Sequence, residues 1–293
     1  MVDAEDFEGW LRARLPERGL RPKSAAVLQV LLTQPRRASF GSTAELARLA
    51  GVNVATVTRT AQALGFAGWP ALQQELRARY LSSLSAPQVA EEHHSVGSAA
   101  GASLRRDLDS LALLHRRFAE HELNEVAKAV AGARRTIVIA DGSYAAVGIA
   151  FAHNARLAGY DVRAITAGDA ELANTTAKIT EDDVLVAISF WRLYESTVLA
   201  AHEAHDRGAR VFAITDAASP ALANAAERVL MVPAEGVTFF PSLTAGMALV
   251  QAIVAQLASI DPARTRGSIE TAEAMWSRFD LLHRRPNKDS NTD

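Results

Sequence analysis

Thr56, Thr58, Arg59 and Gln62 lie within two helical turns of one another, and each side chain can hydrogen-bond. Thr and Gln reach base edges or phosphate oxygens, and Arg59 can do either. A second group, Gly142-Ser143, follows directly on the apolar run Thr136–Ala140. Gly142 permits close backbone approach and Ser143 offers a hydroxyl. The helix expected next presents its N-terminus, which favours an anion. A third group, Ser189, Arg192 and Tyr194, follows the run 183–189. A guanidinium flanked by hydroxyls suits a phosphate or carboxylate. The chemistry on offer is the holding of anions, large and small.

The first group needs a helix to present it. Residues 43–64, TAELARLAGVNVATVTRTAQAL, contain two short helical patterns with almost nothing between them. Thr43 is a capping-type residue at the start of the first. Gly51 provides the corner, where a positive φ costs glycine little. Asn53 is placed to cap the second helix. Val54, Val57, Ala61 and Leu64 form its inward face by spacing, and Ala55, Thr56, Thr58, Arg59, Gln62 and Ala63 its outward one. This is the pattern of a helix-turn-helix whose second helix enters a major groove. An ordinary helical hairpin with a solvated polar face has the same spacing. The candidate DNA contacts are Thr43, Asn53, Ala55, Thr56, Thr58, Arg59 and Gln62.

Charge separates the chain into two parts. Residues 21–80 hold eight Lys/Arg against two Asp/Glu, whereas residues 86–293 hold 20 against 26. A basic small unit joined to an acidic larger one directs a polyanion to the first. With 293 residues, 49% hydrophobic and 22% charged, the chain has room for two globular cores. Zero cysteines exclude disulfide and thiolate-zinc scaffolds and suit a reducing cytoplasm. No apolar run reaches the roughly 18 residues of a membrane span. A cytoplasmic protein without membrane contact is expected.

Around the helix-turn-helix, residues 5–33 and about 70–81 have helical patterns, and Trp69 reads as core. Arg36-Arg37 reads as a loop pair, either solvated or touching phosphate. Residues 1–81 are expected to form the helical DNA-binding domain and 82–102 a linker without periodicity. Residues 103–283 form the second domain, and 284–293 an unstructured tail. His93-His94 lacks a third ligand, so no metal or cofactor is assigned.

From residue 135, β-branched runs at 136–140, 161–166, 183–189, 210–215 and 228–233 alternate with helical stretches. Near-continuous apolar strands of this kind imply a five-stranded parallel sheet in a three-layer α/β/α sandwich, covered on both faces. Ligands should sit beyond the C-terminal strand ends, which points to Gly142, Ser143, Ser189, Arg192 and Tyr194. Asp216, after the fourth run, reads as a turn residue. The apolar stretch 239–260 is expected to be buried in its own domain or against a second subunit. An enzyme working by proton transfer would need a base; Glu195 and Glu235, with His153 and His202, are the nearest candidates. Glu195 reads as an early-turn helix residue, and His153 and His202 fall within helices without an evident partner, so no catalytic residue is assigned.

The run AELARLAGVNVATVTRTAQALGFAGWPAL, with the α/β half behind it, resembles the RpiR family of bacterial transcription regulators. In that family a helix-turn-helix is joined to a SIS (sugar isomerase) effector-sensing domain. The resemblance covers about residues 5–260. It implies operator DNA as partner, a homodimer or homotetramer, and a small anionic effector such as a carbohydrate derivative. The recognition-helix positions Thr56, Thr58 and Arg59 carry over. The first SIS loop keeps Gly142 and Ser143. The second keeps Ser189, with Trp191, Arg192 and Tyr194 where Ser, Gly and Thr are usual. A carboxylate is then as good a candidate effector as a phosphosugar. The alternatives are a SIS-type isomerase with an added helical domain, and a DNA-binding scaffold without an effector.

Overall fold

The computed structural model describes residues 5–92, 98–216 and 219–282. The first part is helical: α1 Glu5–Arg12, α2 Pro22–Thr33, α3 Pro35–Phe40, α4 Thr43–Leu49, α5 Val54–Ala63 and α6 Trp69–Ser83. Leu11, Val27, Leu31, Leu46, Val57, Ala61, Leu64, Leu72 and Leu76 meet in one fully or almost fully buried core, with Trp69 beside them. Burying side chains of this size contributes about 1.5–3 kcal/mol each. Val54 is an exception to the expected inward face, being 47% exposed. It is the first residue of α5, and a Cβ tilted toward the N-terminus there points off the helix end.

Gln34 leaves the helical conformation, but Pro35 at the next position restarts the helix as α3. Arg36 and Arg37 are therefore helical, not in a loop. The stretch expected as a structureless linker is helical in part, forming α7 Ala86–Glu92 and the start of α8 Ala99–Arg117. Glu92 folds back on the helical head, accepting from Arg36 Nε at 2.7 Å and from the Tyr80 hydroxyl at 3.1 Å. His93, His94 and the tail 284–293 lie outside the described residues.

Helix α9 Glu120–Gly132 leads into the α/β unit: β1 Arg135–Ala140, α10 Ala145–Leu157, β2 Val162–Ile165, α11 Ala170–Thr176, β3 Asp183–Ile188, α12 Glu195–Asp206, β4 Arg210–Thr215, α13 Pro220–Ala223 and β5 Arg228–Met231. The sheet has the order β2-β1-β3-β4-β5 with every pairing parallel. Alternate residues serve opposite faces. Val138, Ala140, Val186, Ile188, Phe212 and Ile214 pack with α9, α10 and α14 Thr244–Ile260. Ile137, Ile139, Leu185, Ala187, Val211 and Ala213 pack with α11, α12 and α13. Both faces are covered, which is why the strands read as continuous apolar runs.

At the N-terminal edge, buried Asp183 ties β1 to β3. It accepts from Arg134 Nη2 at 2.8 Å, from Arg135 Nη2 at 3.3 Å and from the Thr180 amide at 3.0 Å. The last helix, α15 Pro262–Arg278, bends away from α14 by 106° and buries no residue. Polar bonds hold it against the end of α10. Arg264 Nε donates to the Gly159 carbonyl at 2.9 Å, and the Thr265 and Ser268 hydroxyls to the Ala158 and Arg156 carbonyls at 3.4 Å each. Among the described residues no single helix is long and apolar enough to cross a membrane.

Candidate nucleic-acid and effector sites

The turn between α4 and α5 is built as its residue types require. Gly51 has φ +63°, and the Val52 amide donates to the Ala47 carbonyl at 2.9 Å. Asn53 Oδ1 accepts from the Thr56 amide at 2.9 Å and from the Thr56 hydroxyl at 2.8 Å, capping α5. Thr56 is therefore buried rather than outward-facing, and Thr60 lies buried a turn later. Ser42, not Thr43, caps α4, its hydroxyl accepting from the Glu45 amide at 3.1 Å. Thr43 is the first residue of that helix and half-buried. Ala55, Arg59 and Gln62 are exposed on α5, Thr58 is half-buried, and Arg59 Nη2 reaches the Thr56 hydroxyl at 3.2 Å.

At the C-terminal edge of the sheet, Asp141 follows β1 and accepts from the Ser196 hydroxyl at 3.3 Å and the Thr197 hydroxyl at 3.2 Å. Gly142 follows at φ +59° in a single 3-10 turn, Gly142–Tyr144, and α10 begins at Ala145. A Cβ at Gly142 would stand 2.7 Å from the Tyr194 hydroxyl. Ser143 is exposed. Gly142, Ser143 and Tyr194 thus gather at the crevice between β1 and β3, where the strand order changes direction.

Ser189 and Arg192 do not join them. Ser189 is fully buried, and its hydroxyl donates to the Arg192 carbonyl at 3.2 Å. Arg192 turns toward the helical head and donates to the Leu84 carbonyl. The cause is Trp191, whose φ of +60° reverses the loop. Its amide donates to Asp216 Oδ1 at 2.8 Å, and its indole to the Leu81 carbonyl at 2.9 Å. Burial pushes the Asp216 carboxyl up to about 7, against the pull of the Trp191 amide. Asp216 is more than a turn residue: it anchors the loop that meets the head. The sequence held a signal for this only in the Trp-Arg pair that replaces small residues.

The bases considered for isomerase chemistry are placed otherwise. Glu235 Oε2 accepts from Arg77 and Arg106 at 3.1 Å each, and His202 Nε2 lies 2.8 Å from the Ala221 carbonyl. Glu195 and His153 are exposed, Glu195 in the first turn of α12.

A helix-turn-helix followed by a parallel five-stranded sandwich is the architecture of a class of two-domain DNA-binding proteins. Residues 14–83 match the helix-turn-helix domain of the rpiR family, and residues 129–265 match the SIS domain. The uncharacterized HTH-type transcriptional regulator YfhH of Escherichia coli K12 is 30% identical over 236 residues, covering 78% of this chain and 83% of YfhH. The HTH-type transcriptional regulator HexR of Pseudomonas aeruginosa PAO1 is 26% identical, covering 76% of this chain and 77% of HexR. The Vibrio vulnificus NanR protein, solved in complex with ManNAc-6P, has the same fold. It has a TM-score of 0.60 and 20% identity over 95% of this chain and all of that one. The chain belongs to the RpiR-type family of helix-turn-helix transcriptional regulators.

Proposed function

We propose that this regulator binds operator DNA through α5 and senses a small anionic metabolite at the crevice formed by Gly142, Ser143 and Tyr194. The observation that carries the DNA reading is the outward face of α5, where Arg59 and Gln62 stand exposed on a helix fixed by the Asn53 cap. Arg59 and Gln62 would read base edges, and Ala55 would contact a thymine methyl. Thr58 and Thr43 would contact the backbone, while Asn53 and Thr56 shape the helix start.

A phosphosugar or a sugar acid fits the crevice, where a left-handed glycine and an exposed hydroxyl precede α10. ManNAc-6P in the NanR structure supports the first of these. A homodimer or homotetramer is supported by Leu104 and Leu108, which α8 leaves 68% and 65% exposed near the apolar helix α14. Residues 1–81, 82–102 and 103–283 serve as DNA-binding domain, connector and sensing domain of a cytoplasmic, non-enzymatic regulator.

The test is binding of the full chain to its own upstream DNA, with and without ManNAc-6P, over a series of salt concentrations. The expected result is a linear fall of log affinity with log salt, by about 0.9 per phosphate contacted, and a shift in affinity with the sugar phosphate. No preference over random DNA would sink the operator reading. A thermal shift with neither sugar phosphates nor sugar acids would leave a scaffold without an effector.

A further inference from the structure

A cavity of about 660 Å³ lies between the head and the α/β unit, and Gly142, Ser143 and Tyr194 are not among its lining residues. That volume is in the usual range of small-molecule sites. Its walls are mostly apolar. Leu81 and Ala78 come from α6, Leu113 from α8, and Trp191, Phe239 and Pro241 from the sheet side. Trp191 and Phe239 meet edge to face at 5.0 Å between ring centres, so together they form an aromatic wall against which a flat ring can pack.

The polar groups on these walls are unequally matched. Arg106, Ser110, Leu113 and Arg117 follow one another at helical spacing, so a single stripe of α8 faces the cavity, with Arg116 beside it. Arg106 and Arg77 share Glu235. Arg116 and Arg117 make no hydrogen bond or ion pair with the described residues. Arg117 stands exposed at the rim, where partial burial holds its guanidinium below its usual range and neighbouring Arg116 adds to this, against the pull of Glu75. Of the wall's other carboxyl groups, Asp216 receives the Trp191 amide and Asp109 is exposed. On α6 the Gln74 side-chain oxygen is buried without a partner. The cavity therefore has cations to spare, an acceptor waiting for a donor, and aromatic sides.

We propose that this cavity is a second ligand site, for an organic anion with a flat apolar body: one carboxylate or phosphate on Arg117, and the ring packed against Leu113 and the Trp191–Phe239 pair. Because its walls come from both halves, an occupant fixes the head relative to the sensing domain. Its effect on DNA binding rests on the operator reading, but the site itself does not.

The test is calorimetric titration of the full chain with 2-naphthoate and with uncharged 2-naphthalenemethanol. One naphthoate per chain is expected, with the alcohol at least tenfold weaker. Arg117→Gln weakens naphthoate at least tenfold and leaves the alcohol unchanged, since a charge-assisted bond is worth that much. Ala78→Trp fills the space and removes both, with an unchanged circular dichroism spectrum showing that the fold survives. Ser143→Ala, at an exposed hydroxyl that is not among the cavity's lining residues, leaves naphthoate binding intact, so failure of the effector reading is seen separately. No saturable naphthoate binding at millimolar concentration, or binding indifferent to both Arg117→Gln and Ala78→Trp, overturns the proposal.

Discussion

The Trp191 indole donates to the Leu81 carbonyl across 2.9 Å, bonding the loop after β3 to the last turn of α6. The Leu81 carbonyl already accepts from the Leu84 amide at 3.2 Å, so the indole adds a second donor to it. The α/β unit thus reinforces the C-terminal turn of α6, and Arg192 bonds the Leu84 carbonyl that follows. Trp191→Phe keeps an aromatic ring and removes the donor. The expected loss is about 1 kcal/mol, a fall in Tm of roughly 2–4 °C, with faster tryptic cleavage after Arg105. An unchanged melting curve and cleavage rate would show that the bond does not hold the halves together.

Two neighbours on α5 should separate recognition from stability. Arg59→Ala is expected to reduce the slope of log affinity against log salt by about 1 if Arg59 meets a phosphate. If it reads a base, specificity at one position relaxes at a cost of about 1–3 kcal/mol. Either way its Tm stays near that of the parent. Thr56→Ala breaks the hydroxyl bond to Asn53 and should cost about 1 kcal/mol of stability with the salt slope unchanged. A salt titration and a melting curve on each variant decide the matter.

Asp183 sets the behaviour in acid. Burial alone would raise its pKa, but the Thr180 amide and the guanidinium groups of Arg134 and Arg135 outweigh it and hold the carboxyl below its usual range. A carboxylate whose pKa is depressed in the folded state contributes stability above its unfolded pKa, near 3.9. That contribution is lost as pH falls through the lower folded value. Asp183→Asn should lose stability at neutral pH, of the order of 3 kcal/mol, and show a flatter decline below about pH 4. Urea unfolding between pH 2.5 and 7 (roughly the span over which a carboxylate titrates) measures both.

Asp216 works in the opposite direction. Its carboxyl is raised to about 7 by burial, with Glu75 and Glu235 adding to the effect. The folded state therefore holds this proton more tightly than the unfolded chain does. Stability falls as pH rises from about 4 to about 7, and the loss is complete above that. Asp216→Asn should raise Tm at pH 8 by roughly 2–4 °C and make no difference near pH 5. A lower Tm at pH 8 would show that the ionised form is needed to hold the Trp191 amide.

Much of this was legible in the residues. Gly51 and Asn53 have few conformational alternatives in a short turn, and the β-branched runs of the sheet have no helical period. What escaped the reading depends on tertiary contact. Thr56 has the spacing of an outward residue but is drawn in by the Asn53 cap. Arg36 and Arg37 resemble a loop pair until Pro35 restarts a helix and Glu92 returns to meet it. Ser189, Arg192 and Tyr194 are close in sequence, yet a left-handed Trp191 sends Arg192 to one half of the molecule and leaves Tyr194 over Gly142. Nothing local in the sequence specifies that reversal; it needs the Asp216 and Leu81 acceptors, distant along the chain.

Helix α15 shows what a ranking of residues by solvent exposure would miss. None of its own residues is buried, so trimming the gene at Asp261 would look harmless. Yet its Arg264, Thr265 and Ser268 serve as the terminal donors of α10, whose opposite end carries the Gly142 crevice. Such a trimmed protein would begin to fray on the far side of the molecule, and the ligand-facing end of α10 would be loosened from behind.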